Sequence, residues 1–334
     1  MTETNQELIR IEDLFIDYET DDGIVHALNG VSLTLHVGET LGLVGETGAG
    51  KTTLAKGILR LIPDPPGKIK EGKIWFEGKD LLELPEHAMQ EIRGQSISMI
   101  FQDPMTSLNP VMTVGEQIQE VIRNHNPELD KEELHAWSCA MLEKVGISAD
   151  RIDEYPHQFS GGMKQRVIIA IALACNPKLL LADEPTTALD VTIQAQVLDM
   201  IRTLKQELNT AMMLITHDLG VVAQNCNRVA IIYAGEIVEI GDLRQIFKRP
   251  THPYTIGLLE SIPSLAKDVE RLNPVKGMMP DPTDLPPGCK FAPRCKFVCE
   301  RCAQRVPDLI DIGDGHMVRC INSKDTQSYA STRE

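Results

Sequence analysis

Residues 45–52 read Gly45-Glu46-Thr47-Gly48-Ala49-Gly50-Lys51-Thr52, which is the pattern GxxxxGK[ST], and no other stretch narrows the fold of this chain as much. Before it, Thr40-Leu-Gly-Leu-Val44 has the apolar run of a short buried strand; after it, Thr53 to Leu61 carries apolar residues at helical spacing. Strand, glycine-rich loop and helix form the context this pattern needs. The glycines let backbone N–H groups turn inward around phosphate oxygens, and the helix N-terminus adds a partial positive charge beneath them. Lys51 is placed to bridge β- and γ-phosphates, Thr52 to hold Mg²⁺ through its hydroxyl, and Thr53 to reach the α-phosphate. The expected ligand is ATP with Mg²⁺, contacted along Gly45 to Thr53.

The 334 residues and 42% apolar content suit one large α/β domain with a smaller appendage and a substantial core. A formal net charge of −15 argues against non-specific nucleic-acid binding, which needs a basic footprint, whereas a triphosphate needs only a local positive site. No stretch approaches the ~20 apolar residues of a membrane span, and Met1-Thr-Glu-Thr-Asn-Gln-Glu7 lacks the basic-then-apolar order of a signal peptide. A soluble chain that stays in the cytoplasm is expected.

Leu8 to Ile16 and Val31 to Val37 alternate apolar with polar around the turn-rich Glu19 to Gly23, which predicts a half-exposed antiparallel sheet. Tyr18, just past the first strand, has two uses: stacking on an adenine ring, or packing on the edge of the core. Ile97 to Phe101 predicts a buried strand ending at Gln102. An amide at that edge of an α/β sheet could reach Mg²⁺ or the attacking water, although Gln102 alone also reads as a loop cap. Residues 113–146 predict a separate helical lobe, opened by the capping box Thr113-Val-Gly-Glu116. Ser160-Gly161-Gly162 then opens a long apolar helix. Ser160 is an N-cap, and the glycines leave N–H groups uncovered at the positive end of the helix, which makes a second anion site; standing alone, the same residues would be a plain turn.

Lys178-Leu-Leu-Leu-Ala-Asp183-Glu184 is a hydrophobic strand ending in adjacent carboxylates. Downstream of a phosphate loop, Asp183 is expected to hold Mg²⁺ through water. Glu184 diverges from it along the strand and is the candidate general base for water attacking the γ-phosphate. Asp190 is placed to cap the helix starting at Val191. After the strand Ala211 to Thr216 comes His217, which could donate to the γ-phosphate and so report ATP against ADP. A lone histidine is more often structural; its place at the end of a fourth such strand singles it out.

With these motifs in order, residues 8–262 resemble the ATP-binding subunit of an ABC transporter. GETGAGKT is similar to the family's Walker A, Gln102 to its Q-loop, FSGGM at 159–163 to its signature, LLLADE at 179–184 to its Walker B with catalytic Glu184, ALD at 188–190 to its D-loop, and His217 to its switch histidine. The signature is usually written LSGGQ, so Phe159 and Met163 depart from it while the Ser-Gly-Gly core is kept. FQDPMTSLNP at 101–110, YPHQFSGGMKQRV at 155–167, ADEPTTALDVTIQAQ at 182–196, HPYTIGLLESIP at 252–263 and LPPGCKFAPRC at 285–295 narrow the resemblance to ATPase subunits of dipeptide and oligopeptide importers, whose wording nickel and glutathione importers largely share.

The resemblance implies an α/β, ABC-type P-loop NTPase domain over 1–262, with an antiparallel β subdomain and a helical subdomain of about 103–175, and then a cysteine-rich extension over 263–334. It implies ATP hydrolysis that energises peptide uptake, from a peripheral position on the cytoplasmic face of the cell membrane. The implied partners are a second ABC ATPase (a distinct chain in a heterodimer, or a second copy), two transmembrane permease subunits and, indirectly, an extracytoplasmic peptide-binding protein. In a head-to-tail pair, Ser160, Gly161 and Gly162 of one subunit face ATP held by the phosphate loop, Glu184 and His217 of the other, with Asp190 at the same boundary. Two other classes compete. Soluble ABC ATPases of DNA repair or the ribosome usually show a coiled-coil insertion or two nucleotide domains, and neither is visible here. A binder that no longer hydrolyses fits poorly with intact Lys51, Asp183, Glu184 and His217.

Of eight cysteines, Cys289, Cys295, Cys299, Cys302 and Cys320 crowd the tail, and in a reducing compartment such crowding points to metal rather than disulfides. Cys289-x5-Cys295-x6-Cys302-x17-Cys320 matches the four cysteines by which members of the resembled subfamily hold an iron–sulfur cluster, which implies [4Fe–4S] with Cys299 as an extra thiol. Tetrahedral Zn²⁺ takes the same donors. The lack of paired CxxC knuckles favours the cluster, and unligated buried thiols are the remaining reading.

Overall fold

A computed structural model describes residues 6–187, 189–261 and 275–331. Ala188 and the expected domain boundary at 262–263 lie outside the described residues. The chain forms two compact units, each gathered from separate stretches.

The first unit takes residues up to Ile9, Leu35–Thr40 and Phe76–Ile215. Its centre is three parallel strands, Ile97–Ile100, Leu179–Asp183 and Ala211–Thr216, with Leu179 opposite both Ile97 and Ala211. Every residue of the three is buried. A parallel sheet is covered on both faces, so its strands read as continuous apolar runs rather than alternating ones. The expected helical lobe is Val114–His125 and Lys131–Lys144, packed on each other and on the helix Gly161–Leu173. The Thr113/Glu116 capping box forms as expected, and a second one, Asp130/Glu133, starts the next helix.

The second unit takes Arg10–Thr34, Leu41–Trp75 and the chain from Thr216 onward. Most of the long strands Glu7–Thr20 and Gly23–His36 belong to it, and both alternate in burial as the sequence predicts. Thr40–Val44 runs parallel to Arg228–Tyr233. That strand turns back through Ala234 and Gly235 (φ 46° and 77°) into Glu236–Asp242, and two successive positive φ values suit a tight hairpin. The tail then extends the same layer: Met317–Val318 pairs with Glu239 and Ile240, and Ile310–Asp311 pairs with Met317–Val318. Beneath this edge the fully buried Glu239 accepts the N–H groups of Thr251 (2.7 Å) and His252 (2.9 Å) and lies 2.7 Å from His316 Nε2. The cysteine-rich extension and the phosphate loop therefore belong to one compact unit. Among the described residues, no helix is long and apolar enough to cross a membrane.

Candidate active site

In the second unit the phosphate loop follows Thr40–Val44 directly and leads into the helix Lys51–Ile58. Glycine is obligatory at its two ends. A Cβ on Gly45 would lie 2.3 Å from the Ile232 carbonyl oxygen. Gly50 has φ 101°, and its Cβ would lie 2.6 Å from the Ala27 carbonyl oxygen. Inside the loop Ala49 N–H donates to the Glu46 carbonyl (3.1 Å), and Gly235 N–H donates to the Ala49 carbonyl (3.0 Å). Lys51 is 7% exposed, and its ammonium donates to the carbonyls of Gly45 (2.8 Å) and Glu46 (3.0 Å), so its charge is drawn into the turn. Thr47 and Gly48 are exposed at the loop's crest, and Thr52 and Thr53 are half-buried in the first helical turn. Tyr18 is half-buried with its ring over Gly67, where a Cβ would come within 2.8 Å of it. His217 is exposed just past Ala211–Thr216, on a turn closed by Asp218, whose carboxylate accepts Gly220 N–H (2.8 Å) and Val221 N–H (3.2 Å).

In the first unit Asp183 is 1% exposed at the end of its strand. Glu184 follows with φ 46°, a left-handed backbone that costs a non-glycine residue about 1–3 kcal/mol and persists only where its surroundings hold it. Here its N–H donates to the Ile215 carbonyl (2.9 Å), while its carboxylate accepts from Gln102 Nε2 (3.2 Å) and Thr187 Oγ1 (2.9 Å). Gln102 and Glu184, read separately in the sequence, are thus brought together. Thr187, which the sequence reading passed over, holds the same carboxylate from across a turn. Ser160 caps Gly161–Leu173 by accepting Met163 N–H (3.4 Å), and a Cβ on Gly161 would meet nothing within 4 Å, so this helix start is open. Gln165, 1% exposed, donates to the Pro185 carbonyl and ties that helix to the turn behind Glu184. Asp190 caps Val191–Glu207 as predicted, accepting Thr192 N–H (3.1 Å) and Ile193 N–H (3.0 Å).

In the tail, the turn Cys299-Glu300-Arg301-Cys302 brings two sulfurs to 3.5 Å, and Cys289 N–H donates to the Cys302 carbonyl (2.8 Å). Burial, reinforced by the neighbouring thiols, pushes Cys295 up to about 11 and Cys320 up to about 12, and burial also raises Cys289 and Cys302. The hydrogen bond from Cys302 draws Cys299 down to about 7. Among the described residues, no group of three or more His, Cys, Asp or Glu is arranged to hold a metal ion. The expected ligand cysteines are nonetheless neighbours, since Cys289, Cys295 and Cys302 all act electrostatically on Cys320. Two further contacts went unread in the sequence: the Tyr254 hydroxyl accepts Glu46 N–H (3.0 Å), and Arg294, quoted only for the cysteines beside it, donates to the Glu46 carboxylate (3.1 Å).

A buried strand, a glycine loop with an inward lysine and a helix in direct succession define a P-loop nucleotide-binding protein. The family model for "ABC transporter" matches residues 28–187, and that for "Oligopeptide/dipeptide transporter, C-terminal region" matches 238–302. The oligopeptide transport ATP-binding protein OppD of Bacillus subtilis is 50% identical over 315 residues (93% of this chain, 88% of the relative). OppD of Haemophilus influenzae is 49% identical (94% and 96%), and the dipeptide transport ATP-binding protein DppD of B. subtilis is 46% identical over 317 residues (94% of each). A solved dimeric post-hydrolysis state of the ATP-binding cassette MJ0796 with ADP and Pi superposes with a TM-score of 0.64 at 28% identity, covering 71% of this chain and 99% of that one. The chain belongs to the ATP-binding proteins of ABC transporters, in the oligopeptide/dipeptide branch.

Proposed function

We propose that the chain is the ATP-hydrolysing motor subunit of an ABC importer that energises uptake of di- and oligopeptides across the cytoplasmic membrane. One observation carries this reading: a match at 50% identity over 93% of the chain to a protein named for oligopeptide transport. The nucleotide-binding domain is 1–262, with its helical subdomain at about 103–175, and the extension is 263–334. In this reading ATP lies with its phosphates in Gly45 to Thr53, Lys51 bridges the β- and γ-phosphates, and Tyr18 stacks on adenine. Thr52, Gln102 and Asp183 would hold Mg²⁺, which neutralises charge on the β- and γ-oxygens. Glu184, oriented by Gln102 and Thr187, aligns the attacking water and takes its proton. As the new P–O bond forms, the bond to the β-phosphate breaks, ADP keeps the electron pair, and His217 hydrogen-bonds the departing phosphate.

A second cassette closes the site by laying its Ser160-Gly161-Gly162 turn on the γ-phosphate, with Asp190 at the boundary. The open helix start here and the dimeric solved cassette support that arrangement. The second cassette is a related chain or another copy; sedimentation of this chain alone with ATP tells them apart, because only a homodimer forms without a partner. Two permease subunits dock on the helical lobe and Gln102 loop at the cytoplasmic face, and an extracytoplasmic peptide-binding protein delivers cargo. Glu184→Gln tests the assignment. ATP binding is expected to persist and the closed pair to accumulate, with turnover lost; near-wild-type turnover removes Glu184 from its role. Co-purification of the permeases with their cargo decides peptide against nickel or glutathione.

For the tail, a [4Fe–4S] cluster on Cys289, Cys295, Cys302 and Cys320 suits the soft thiol donors in a lobe with little apolar core, and Cys299 would stay beside it as a hydrogen-bonding neighbour of Cys302. Because those four thiols are pushed up, ligation must release protons and weaken as pH falls. Anaerobically purified protein is expected to be brown with matched iron and acid-labile sulfide; stoichiometric zinc without visible absorption would transfer the site to Zn²⁺.

A further inference from the structure

We propose that Arg294, in the cysteine-rich extension, is a positioning residue for the phosphate loop: it cancels the charge of Glu46 and holds the loop in the shape that receives a triphosphate. This rests on the reading that ATP binds at Gly45 to Thr53. The Arg294 side chain is 5% exposed, and Nη1 is shared between the two Glu46 carboxylate oxygens (3.1 Å each) and the Tyr233 hydroxyl (3.3 Å). Nε donates to the Lys276 carbonyl (3.0 Å) and Nη2 to that of Val275 (3.2 Å), while the guanidinium carbon lies 5.7 Å from the Tyr233 ring and 5.9 Å from that of Phe291. All three guanidinium nitrogens are engaged, so the group is held rigidly.

Glu46 is where this anchor meets the nucleotide machinery. Its N–H is taken by Tyr254, and its carbonyl accepts both the Lys51 ammonium and the Ala49 N–H. Its side chain remains 30% exposed, so the lobe does not need Glu46 to bury Arg294: Tyr233, Val275 and Lys276 already receive the guanidinium. What the pair adds is electrostatic. An uncompensated carboxylate at the second position of a phosphate loop would repel the triphosphate that the loop exists to hold, and a fixed guanidinium removes that repulsion. The extension also approaches the loop's exposed crest, since a Cβ on Gly48 would lie 3.1 Å from Met279 Cε. Because Cys295 follows Arg294 in the chain, order in the cysteine lobe reaches the nucleotide loop through a single peptide unit.

The test is a mutant cycle on the full chain, titrated with a fluorescent ATP analogue. Arg294→Gln is expected to weaken binding about tenfold, the worth of one charge-assisted hydrogen bond (about 1.4 kcal/mol). Because Arg294 acts through the Glu46 charge, its penalty is expected to vanish once that charge is gone: the double variant should bind within about threefold of Glu46→Gln itself and more tightly than Arg294→Gln, and kcat at saturating ATP should be preserved in Arg294→Gln because Arg294 touches no reacting atom. Wild-type affinity in Arg294→Gln, or a double variant as weak as Arg294→Gln, overturns the proposal; the second result would mean that Arg294 only holds the lobe together. If Arg294→Gln does not fold, Arg294→Met, which fills the slot between the rings, takes its place with the same expectations. Lys51→Ala separates the two readings. Retained affinity there overturns the nucleotide site itself, whereas lost affinity alongside an indifferent Arg294→Gln overturns only the positioning role.

Discussion

Replacing Gly161 with alanine separates folding from function at the signature turn. In the chain itself the new methyl meets nothing within 4 Å, and Ser160 still caps the helix through Met163 N–H. Alanine is a better helix residue than glycine by about 0.5–1 kcal/mol, toward the lower end at the first helical position. The melting temperature is therefore expected to rise by about 1–3 °C. Gly162→Ala is the contrasting control, because its Cβ would sit 2.8 Å from Ile193 Cγ2 and must displace a neighbour, so its melting temperature should fall. Function should move the other way for Gly161. If this face closes on the γ-phosphate of a second cassette, the methyl displaces that phosphate by about 1 Å, a misplacement that costs about a hundredfold in turnover. Differential scanning calorimetry reads the first quantity and steady-state phosphate release the second, with ATP-dependent pairing followed in the Glu184→Gln background. A Gly161→Ala chain that melts higher and still pairs and hydrolyses like wild type would refute the assignment of this helix start to a partner's nucleotide; a lower melting point would refute the open space.

Two other substitutions probe the frame. His252 is 1% exposed, and burial, with the charge of Arg319 adding to it, draws its pKa from the ordinary 6.5 down to about 3. Its Nδ1 accepts Tyr254 N–H (3.1 Å) as the cap of Pro253–Glu260, which only the uncharged ring can do. The unfolded chain takes up the proton first, so this stability is complete above about pH 6.5 and drains by about 1.4 kcal/mol per pH unit as the pH falls toward 3. His252→Asn keeps a capping oxygen and should flatten the acid limb of urea midpoint against pH; an unchanged slope would reject the role. Gly50→Ala places a side chain at φ 101° and a Cβ 2.6 Å from a backbone oxygen, so chemical denaturation should register a loss of at least the ~1–3 kcal/mol of the strained backbone. Wild-type stability with full ATP affinity would contradict the described loop.

The features readable from the sequence are those whose physics is local. The strand before the glycine loop, the buried run ending at Asp183, the caps Thr113, Ser160 and Asp190 and the open glycine at 161 all follow from residues within a few positions of one another. Even a small miss has a local cause. The helix after the loop stops at Ile58, short of Leu61, because Arg60 turns left-handed (φ 52°) and Leu61 N–H reaches back to the Lys56 carbonyl, a closure usually made by glycine and so invisible in the residue type.

Tertiary structure alone decided the contacts that cross long stretches of chain. Gln102 reaches Glu184 over 82 positions, His316 reaches Glu239 over 77, and Arg294 reaches Glu46 over 248. No pattern of spacing encodes such pairs, because they exist only once neighbouring strands have taken their register and the tail has added itself to the edge of Glu236–Asp242. Local chemistry thus determined that this chain builds a phosphate cradle and a carboxylate at a strand end. The packing of distant segments decided which charge steadies the cradle, since a hydrogen bond acts over about 3 Å however far apart its partners lie in the chain.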